Sequence, residues 1–351
     1  AIGSKRQTLT DTSNNSKSLK ELTTSLWQRS ELRNSVKELT KDAPSDASSP
    51  TQNDLHPIHL SICLCIVDSL PHADIWKEWM EDTIDPSISA SMFIHAKHPE
   101  KVTHSWTRSK LISISHKPNW NDVRIVRAML SLIDEALKEE RMTHIIFGTE
   151  SCLPICPLHQ VVIKCGTSYM TYYGKERATR FDEHEVWGAL RSHIPIDAIR
   201  KALPGWCTLA RHHAKLILDM PNMELEGSPL WPAFESCWAP EEAFFPTALA
   251  LLGLLAETRC KSLTYAEWTE QPNSRKPEDR AHPREWDQDF NSDLVRTLRH
   301  DLDCVILRKI KNQIPLILWR SAIKLDSPSK KRAPNDQNSS HDKKSVKKIK
   351  F

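Results

Sequence analysis

Glycine is scarce in this chain, with eight in 351 residues. Neither G-x-x-x-x-G-K-[ST] nor G-x-G-x-x-G occurs, so both backbone devices for cradling phosphates are missing, and any nucleotide has to be held by side chains. No Cys-x-x-Cys occurs among the nine cysteines, which removes the zinc-ribbon reading. Cys63 and Cys65 alternate along one strand face, and Cys152-Leu-Pro-Ile-Cys156 lacks zinc-type partners. The odd total fits buried free thiols at least as well as disulfides. No run of 18 apolar residues exists, so no membrane-spanning helix or signal peptide is expected within the chain. The first residue is not methionine, so a missing anchor carries little weight, and membrane attachment is expected only through an anchor that this chain does not contain. Charge excess is small as well. A net charge of +3 gives no reason to expect a nucleic-acid partner for the whole chain.

What is present belongs to an ordinary globular protein: 39% hydrophobic and 26% charged residues, with twelve tryptophans. Residues 1–55 are rich in Ser, Thr, Asn and Lys and read as a flexible, stem-like segment, with Leu19, Leu22, Leu26, Val36 and Leu39 at roughly helical spacing. Residues 56–325 read as one globular domain, and 326–351 as a basic, low-complexity, disordered tail. Ile58 to Val67 is a nearly continuous apolar run, the mark of a buried strand. A helix is expected over Ala73–Met80, a strand over Ser91–His95, an amphipathic helix over Val123–Glu140 and a strand over Thr143–Phe147, which ends in the turn Gly148–Cys152. This alternation predicts an α/β layer with a mostly parallel central sheet flanked by helices. Ligands bind at the carboxyl ends of such strands, which places His95 and the Thr149–Cys152 turn at the rim. Further helices are expected over Glu183–Leu190, Leu209–Met220, Pro246–Glu257 and Asp293–Arg299. Cys304–Ile310 reads as a strand, and Ile314–Trp319 as a strand or a helix.

Pro240-Glu241-Glu242 leads into the apolar run Ala248–Leu255. A proline followed by acids suits a helix N-terminus, and taken alone the two glutamates read as capping residues. They stand in a longer series, however. Trp76-Lys-Glu-Trp79 with Phe93-Ile-His95, Trp120 before a long helix, and His144-Ile-Ile-Phe-Gly-Thr-Glu-Ser-Cys-Leu-Pro154 are followed by Thr208-Leu-Ala-Arg-His-His-Ala214. Cys237-x-x-Pro-Glu-Glu242, Leu263-Thr-Tyr-x-x-Trp268 and Leu307-Arg-Lys-Ile310 complete the series. In this order the blocks, covering about residues 58–320, resemble the core-2/I-branching β-1,6-N-acetylglucosaminyltransferase family, including its plant relatives.

The resemblance implies a GT-A-type fold and an inverting transfer from a UDP-sugar, with N-acetylglucosamine the first choice, to a glycan or glycoprotein acceptor. No metal cofactor is expected. It also implies a secretory-pathway location, on the lumenal side of the Golgi. The family's general base maps onto Glu242, and Glu241 stands where the family carries Asp. The lysine that steadies the leaving diphosphate maps onto Lys309. Its arginine partner is Arg280 as first choice and Arg284 as second. Glu150 and Ser151 are placed near donor or acceptor, His95 near the uracil or ribose, and Trp206 and Trp268 as sugar-stacking platforms. Asp287-Gln-Asp289 and Asp301-Leu-Asp303 have metal-binding spacing but follow no apolar strand, so they read as turn residues. Leu203-Pro-Gly-Trp-Cys207 departs from the family's Gly-Ser-Gln-Trp, which leaves a catalytically silent UDP-sugar or glycan binder as the alternative. A third reading takes the basic tail as a polyanion-binding arm.

Overall fold

The computed structural model describes residues 57–180, 182–202, 207–225, 227–268, 283–287 and 289–323. The stem-like segment with its Leu19–Leu39 pattern, the basic tail, Trp206 and Arg280 lie outside the described residues.

The central strand, β1 (Ile58–Ile66), is the apolar run marked by the sequence. Alternation sends Leu60, Ile62, Leu64 and Ile66 into one core and Cys63 into another, so the strand is buried on both faces. Its two polar residues are satisfied sideways: His59 Nδ1 lies 2.8 Å from Ser89 Oγ, and Ser61 Oγ lies 3.4 Å from Ser91 Oγ. The following elements are α1 (Ala73–Met80), β2 (Ile88–Ala96), α2 (Arg124–Leu137), β3 (His144–Thr149), β4 (Leu153–Pro154) and β5 (Ser168–Tyr169). Then come β6 (Thr208–Ala210), α3 (Arg211–Leu218), α4 (Pro240–Leu251), β7 (Thr258–Arg259), β8 (Thr264–Ala266), α5 (Ser292–His300), β9 (Ile306–Arg308) and α6 (Leu316–Ile323).

Six strands form the main sheet in the order β7-β5-β6-β3-β1-β2. β1 is parallel to both β2 and β3, and β7 to β5, whereas β6 runs antiparallel to β3 and β5. This is the mixed α/β architecture, with a mostly parallel central sheet, that the alternation predicts, and it is consistent with a GT-A-like fold. A smaller sheet, β8-β9-β4, lies to one side. One core joins α2, α3 and α4 to the sheet. The other joins α1, α5, α6 and the small sheet to its opposite face.

Several boundaries differ from the sequence reading. The segment expected as a helix from Leu209 starts as strand β6, because its backbone pairs with β3 before the chain turns into α3. Asp182–Val186 is a single π turn, followed by one α turn from Trp187 to Leu190. Ile314–Trp319 resolves as the start of helix α6. The helix expected from Pro246 begins six residues earlier, at Pro240.

Proline at the first helical position loses nothing, since that amide has no partner inside the helix. Pro246 sits inside α4 and cannot donate to the Glu242 carbonyl, a cost that burial offsets. Every residue from Ala243 to Leu251 is buried. Phe244 lies edge-on to Phe234 at 5.1 Å and to Trp231 at 5.9 Å, and Phe245 lies 5.6 Å from Phe147 on β3. Arg200 N donates to Thr247 Oγ1, which donates to the Arg200 carbonyl, each at 3.0 Å. The acids at the start of α4 therefore stand on a clamped helix. Among the described residues no helix is long and apolar enough to cross a membrane.

Candidate functional site

The carboxyl end of β3 carries the first acidic residue of the site. Gly148 packs closely there: a Cβ would lie 3.0 Å from Leu64 Cδ2 and 3.3 Å from Cys152 Sγ, so a larger residue would have to push these side chains aside. The next turn is tied internally. Thr149 Oγ1 lies 3.0 Å from Ser151 Oγ, and Cys152 N donates to the Thr149 carbonyl at 3.0 Å. Three indoles hold the chain that follows: Trp76 donates to the Cys152 carbonyl at 3.3 Å, Trp319 to Pro154 at 2.7 Å and Trp79 to Cys156 at 2.6 Å. Ser151 thus spends its hydroxyl within the turn, while its carbonyl accepts from Ile310 N at 2.9 Å. Glu150 is left as the group that can face a ligand. Burial raises its pKa, with Arg308 and Lys309 opposing the shift and Asp68 adding to it.

The second part of the site is the entry to α4. Ala239 has a left-handed backbone with φ of 47°, unusual for a residue with a side chain. It is held from both sides: Trp238 N donates to the Glu185 carbonyl at 3.2 Å, and Ala239 N donates to Asn121 Oδ1. The Trp238 ring lies edge-on to Trp120 at 5.0 Å, and Trp120 is 71% exposed. An aromatic ledge therefore borders the two glutamates.

Glu241 and Glu242 differ in their partners. Glu242 Oε2 lies 3.4 Å from Lys201 Nζ, which also lies 2.8 Å from Asp182 Oδ1. Asp182 is fully buried and accepts from Tyr173 Oη at 2.8 Å and from Thr179 N at 3.0 Å. Burial raises the Glu242 pKa, while Lys201 and Arg308 pull it back. Glu241 Oε2 is buried without a hydrogen-bond partner among the described residues. Burial, then the like charge of Glu242, pushes Glu241 up to about 7, against the pull of Arg308 and Lys201. Glu242 is therefore the member of the pair with a cation in direct reach, and Glu241 the one whose buried oxygen has no partner among the described residues, a division that suits a base beside a hydrogen-bond donor.

The Glu241 shift has a consequence for stability. A carboxyl whose folded pKa lies above its unfolded value binds a proton more tightly when folded. It favours the folded state fully below pH ~4.5 and progressively less as pH rises through ~7, a change of about 3 kcal/mol. Glu241→Gln is expected to match the wild type in melting temperature below pH ~4.5 and to exceed it above pH ~7. Melting curves of both proteins between those limits check this, and parallel curves would refute it.

Arg308 ends β9 and acts on Glu150, Glu241 and Glu242 alike. Lys309, next along the chain, lies 3.0 Å from Glu285 Oε1, and Lys311 lies 3.0 Å from Glu285 Oε2. Two ammonium groups thus converge on one carboxylate, a geometry that an incoming diphosphate would also satisfy. Arg284 runs in the same strip of chain, since Trp286 N donates to the Lys309 carbonyl at 2.8 Å. Its guanidinium pairs with Glu267 and Asp289 and lies 4.2 Å over the Trp286 ring. Trp268 follows Glu267 and is 40% exposed.

His95 reaches the carboxyl end of β2, level with Cys65 of β1, but its ring is occupied. Its Nε2 accepts from His116 N at 2.9 Å, and the two rings stack at 5.7 Å. Burial, helped by His116, lowers its pKa to about 4, so it is a neutral structural acceptor. The paired aspartates are also in use. Asp287 accepts from Asn312 N and Nδ2 at 3.1 and 2.8 Å, Asp289 pairs with Arg284, and Asp303 pairs with Lys261 at 2.6 Å. Sequence reasoning missed Lys201 and Arg308. Lys201 stands in no motif. Arg308 is the neighbour of the lysine singled out, and at a strand end adjacent side chains point to opposite faces, which was the available signal.

The family model described as Core-2/I-Branching enzyme matches residues 84–298. A curated relative, "Glycosyltransferase BC10" of Oryza sativa subsp. japonica, is 23% identical over 206 residues, covering 51% of this chain and 50% of the relative. The chain spans about half the length of the curated relative it matches.

Proposed function

The chain belongs to the Core-2/I-branching enzyme family, and on that premise we propose that it is an inverting glycosyltransferase. It moves a sugar, N-acetylglucosamine first, from a UDP-sugar to a hydroxyl of a glycan or glycoprotein. The observation that carries this reading is a pair of adjacent carboxylates, raised by burial, one of them paired with Lys201 and both under the pull of Arg308 at the end of β9. Glu242 takes the proton of the acceptor hydroxyl as its oxygen bonds to the anomeric carbon. The bond from that carbon to the β-phosphate oxygen breaks, and UDP leaves with the electron pair. Lys309 and Arg308 stabilise the charge that grows on the diphosphate, so the reading requires no metal there. Neutral Glu241 donates a hydrogen bond to a sugar oxygen, and Trp120 and Trp268 offer faces for sugar rings. Arg284 is the described arginine closest in sequence to Arg280, and release of either of its acidic partners would free it to help. The natural setting for such a reaction is the Golgi lumen.

Thermal denaturation with a panel of UDP-sugars, with and without EDTA, tests the reading. One donor is expected to raise the melting temperature by an increment that survives EDTA. An increment that disappears with EDTA would replace Lys309 and Arg308 by a metal, and no increment with any donor would sink the proposal.

A second reading is a relative that binds the sugar without turnover. The Lys201–Glu242 ion pair favours it, because that pair already engages the base. Donor binding with neither transfer nor donor hydrolysis would select it.

A further inference from the structure

At the end of the sheet away from the glutamates, the first turn of α3 carries two consecutive histidines. His212 Nε2 lies 3.1 Å from Glu257 Oε2, and His213 Nε2 lies 3.5 Å from the same oxygen. The three ligand atoms all fall within 4.8 Å of one another. We propose that His212, His213 and Glu257 form a binding site for a divalent transition metal, with zinc the best fit.

Distances carry the argument first. Zinc holds imidazole nitrogen and carboxylate oxygen at about 2.0–2.1 Å, so the edge between two ligands of a tetrahedron is about 3.3 Å. The two observed separations straddle that edge. A two-histidine, one-carboxylate set leaves the fourth position for water, and imidazole with carboxylate suits zinc better than calcium or magnesium.

The surroundings agree. His213 is fully buried, yet its Nε2 makes no hydrogen bond among the described residues, an uncommon state for a buried polar atom. Its other nitrogen is fixed: Nδ1 lies 2.6 Å from Ser168 Oγ, which accepts from Ala210 N at 2.9 Å. A ligating histidine needs this kind of outer partner to set its tautomer and ring orientation. His212 and Glu257 are partly open to solvent, which gives the ion a way in.

The position makes the role structural. Ala210, just before α3, pairs with His144 at the start of β3, whereas Glu150 follows the end of that strand. The length of β3 separates the two places by about 15–20 Å. Glu257 immediately precedes the edge strand β7, so a bound ion would staple that edge to α3.

Zinc chloride titrated into the metal-stripped full chain, under a thiol-free reductant, is the test, read by isothermal calorimetry. One zinc per chain is expected to bind, and His212→Ala and Glu257→Gln are each expected to weaken it at least tenfold. Both positions are solvent-accessible, so neither change opens the core, and sugar transfer is expected to be unchanged. Cobalt substitution supplies a second readout, the intense visible bands of a tetrahedral centre, lost in both variants. Equal zinc affinity in wild type and both variants would assign the binding to cysteines and overturn the proposal, as would the absence of saturable binding. In the UDP-sugar panel, EDTA should then lower the baseline melting temperature while leaving the donor-dependent increment intact.

Discussion

Glu242→Gln is expected to lower sugar transfer by about 10²–10⁴-fold, the usual worth of a positioned general base. The substitution keeps the size and much of the hydrogen bonding of the side chain, so α4 should remain in place on its phenylalanine cluster. Lys201 loses one anionic partner but retains buried Asp182 at 2.8 Å, so the cation stays where it is. The loss should therefore appear in kcat, with the donor's thermal increment unchanged. Transfer within tenfold of wild type would remove Glu242 from the role. Glu241 would then be the base, and Glu241→Gln would carry the large loss in its place. The two substitutions together distinguish a true division of labour between the glutamates from a single interchangeable carboxylate.

Lys309→Ala is the second large effect, about 10²–10³-fold in kcat, by analogy with the loss of one preorganised group that stabilises transition-state charge. The diphosphate gains negative charge as the glycosidic bond breaks, so an ammonium placed against it matters more in the transition state than in the bound donor. Kcat should fall further than KM rises. Arginine at 309 is expected to restore little, because a planar fork cannot take the place of a compact ammonium beside Glu285 and Lys311. An effect confined to KM would make Lys309 a donor-binding residue only. No effect would pass the role to Arg308, and Arg308→Met would decide that.

Much of this arrangement was legible in the sequence. The apolar run at β1, the amphipathic helix α2 and the turn after β3 follow from periodicity alone, because burial on one face or two writes itself directly into residue order. The glutamate pair was legible as a helix start, yet the helix was placed six residues late. Pro246 looked like a boundary by local rules, and only the complete burial of Ala243–Leu251 explains why the helix runs through it. Lys201 was not legible at all. It meets Glu242 through the packing of α4 on the 200–202 backbone, a contact across some forty residues that no local pattern encodes. Lys309 was legible and Arg308 was not, because which of the two acts on the glutamates depends on the twist and end of a three-residue strand. His95 illustrates the converse: its position at the rim was readable, but its occupation by His116 was not.

The placement of β9 also has a bearing on how the protein is made. The acids of the site leave the ribosome first, at 150 and at 241–242, and Arg308 of β9 follows with Lys309 next to it, after the span matched by the family model has been completed. β9 docks between β8 and β4, whose partner residues precede it by about forty and about 150 positions. Long-range pairing of this kind is slow and comes late in folding. A nascent chain would hold its carboxylates with Lys201 before Arg308 and Lys309 arrive, so the emergence of β9 from the ribosome would set the moment at which the site can first bind a diphosphate.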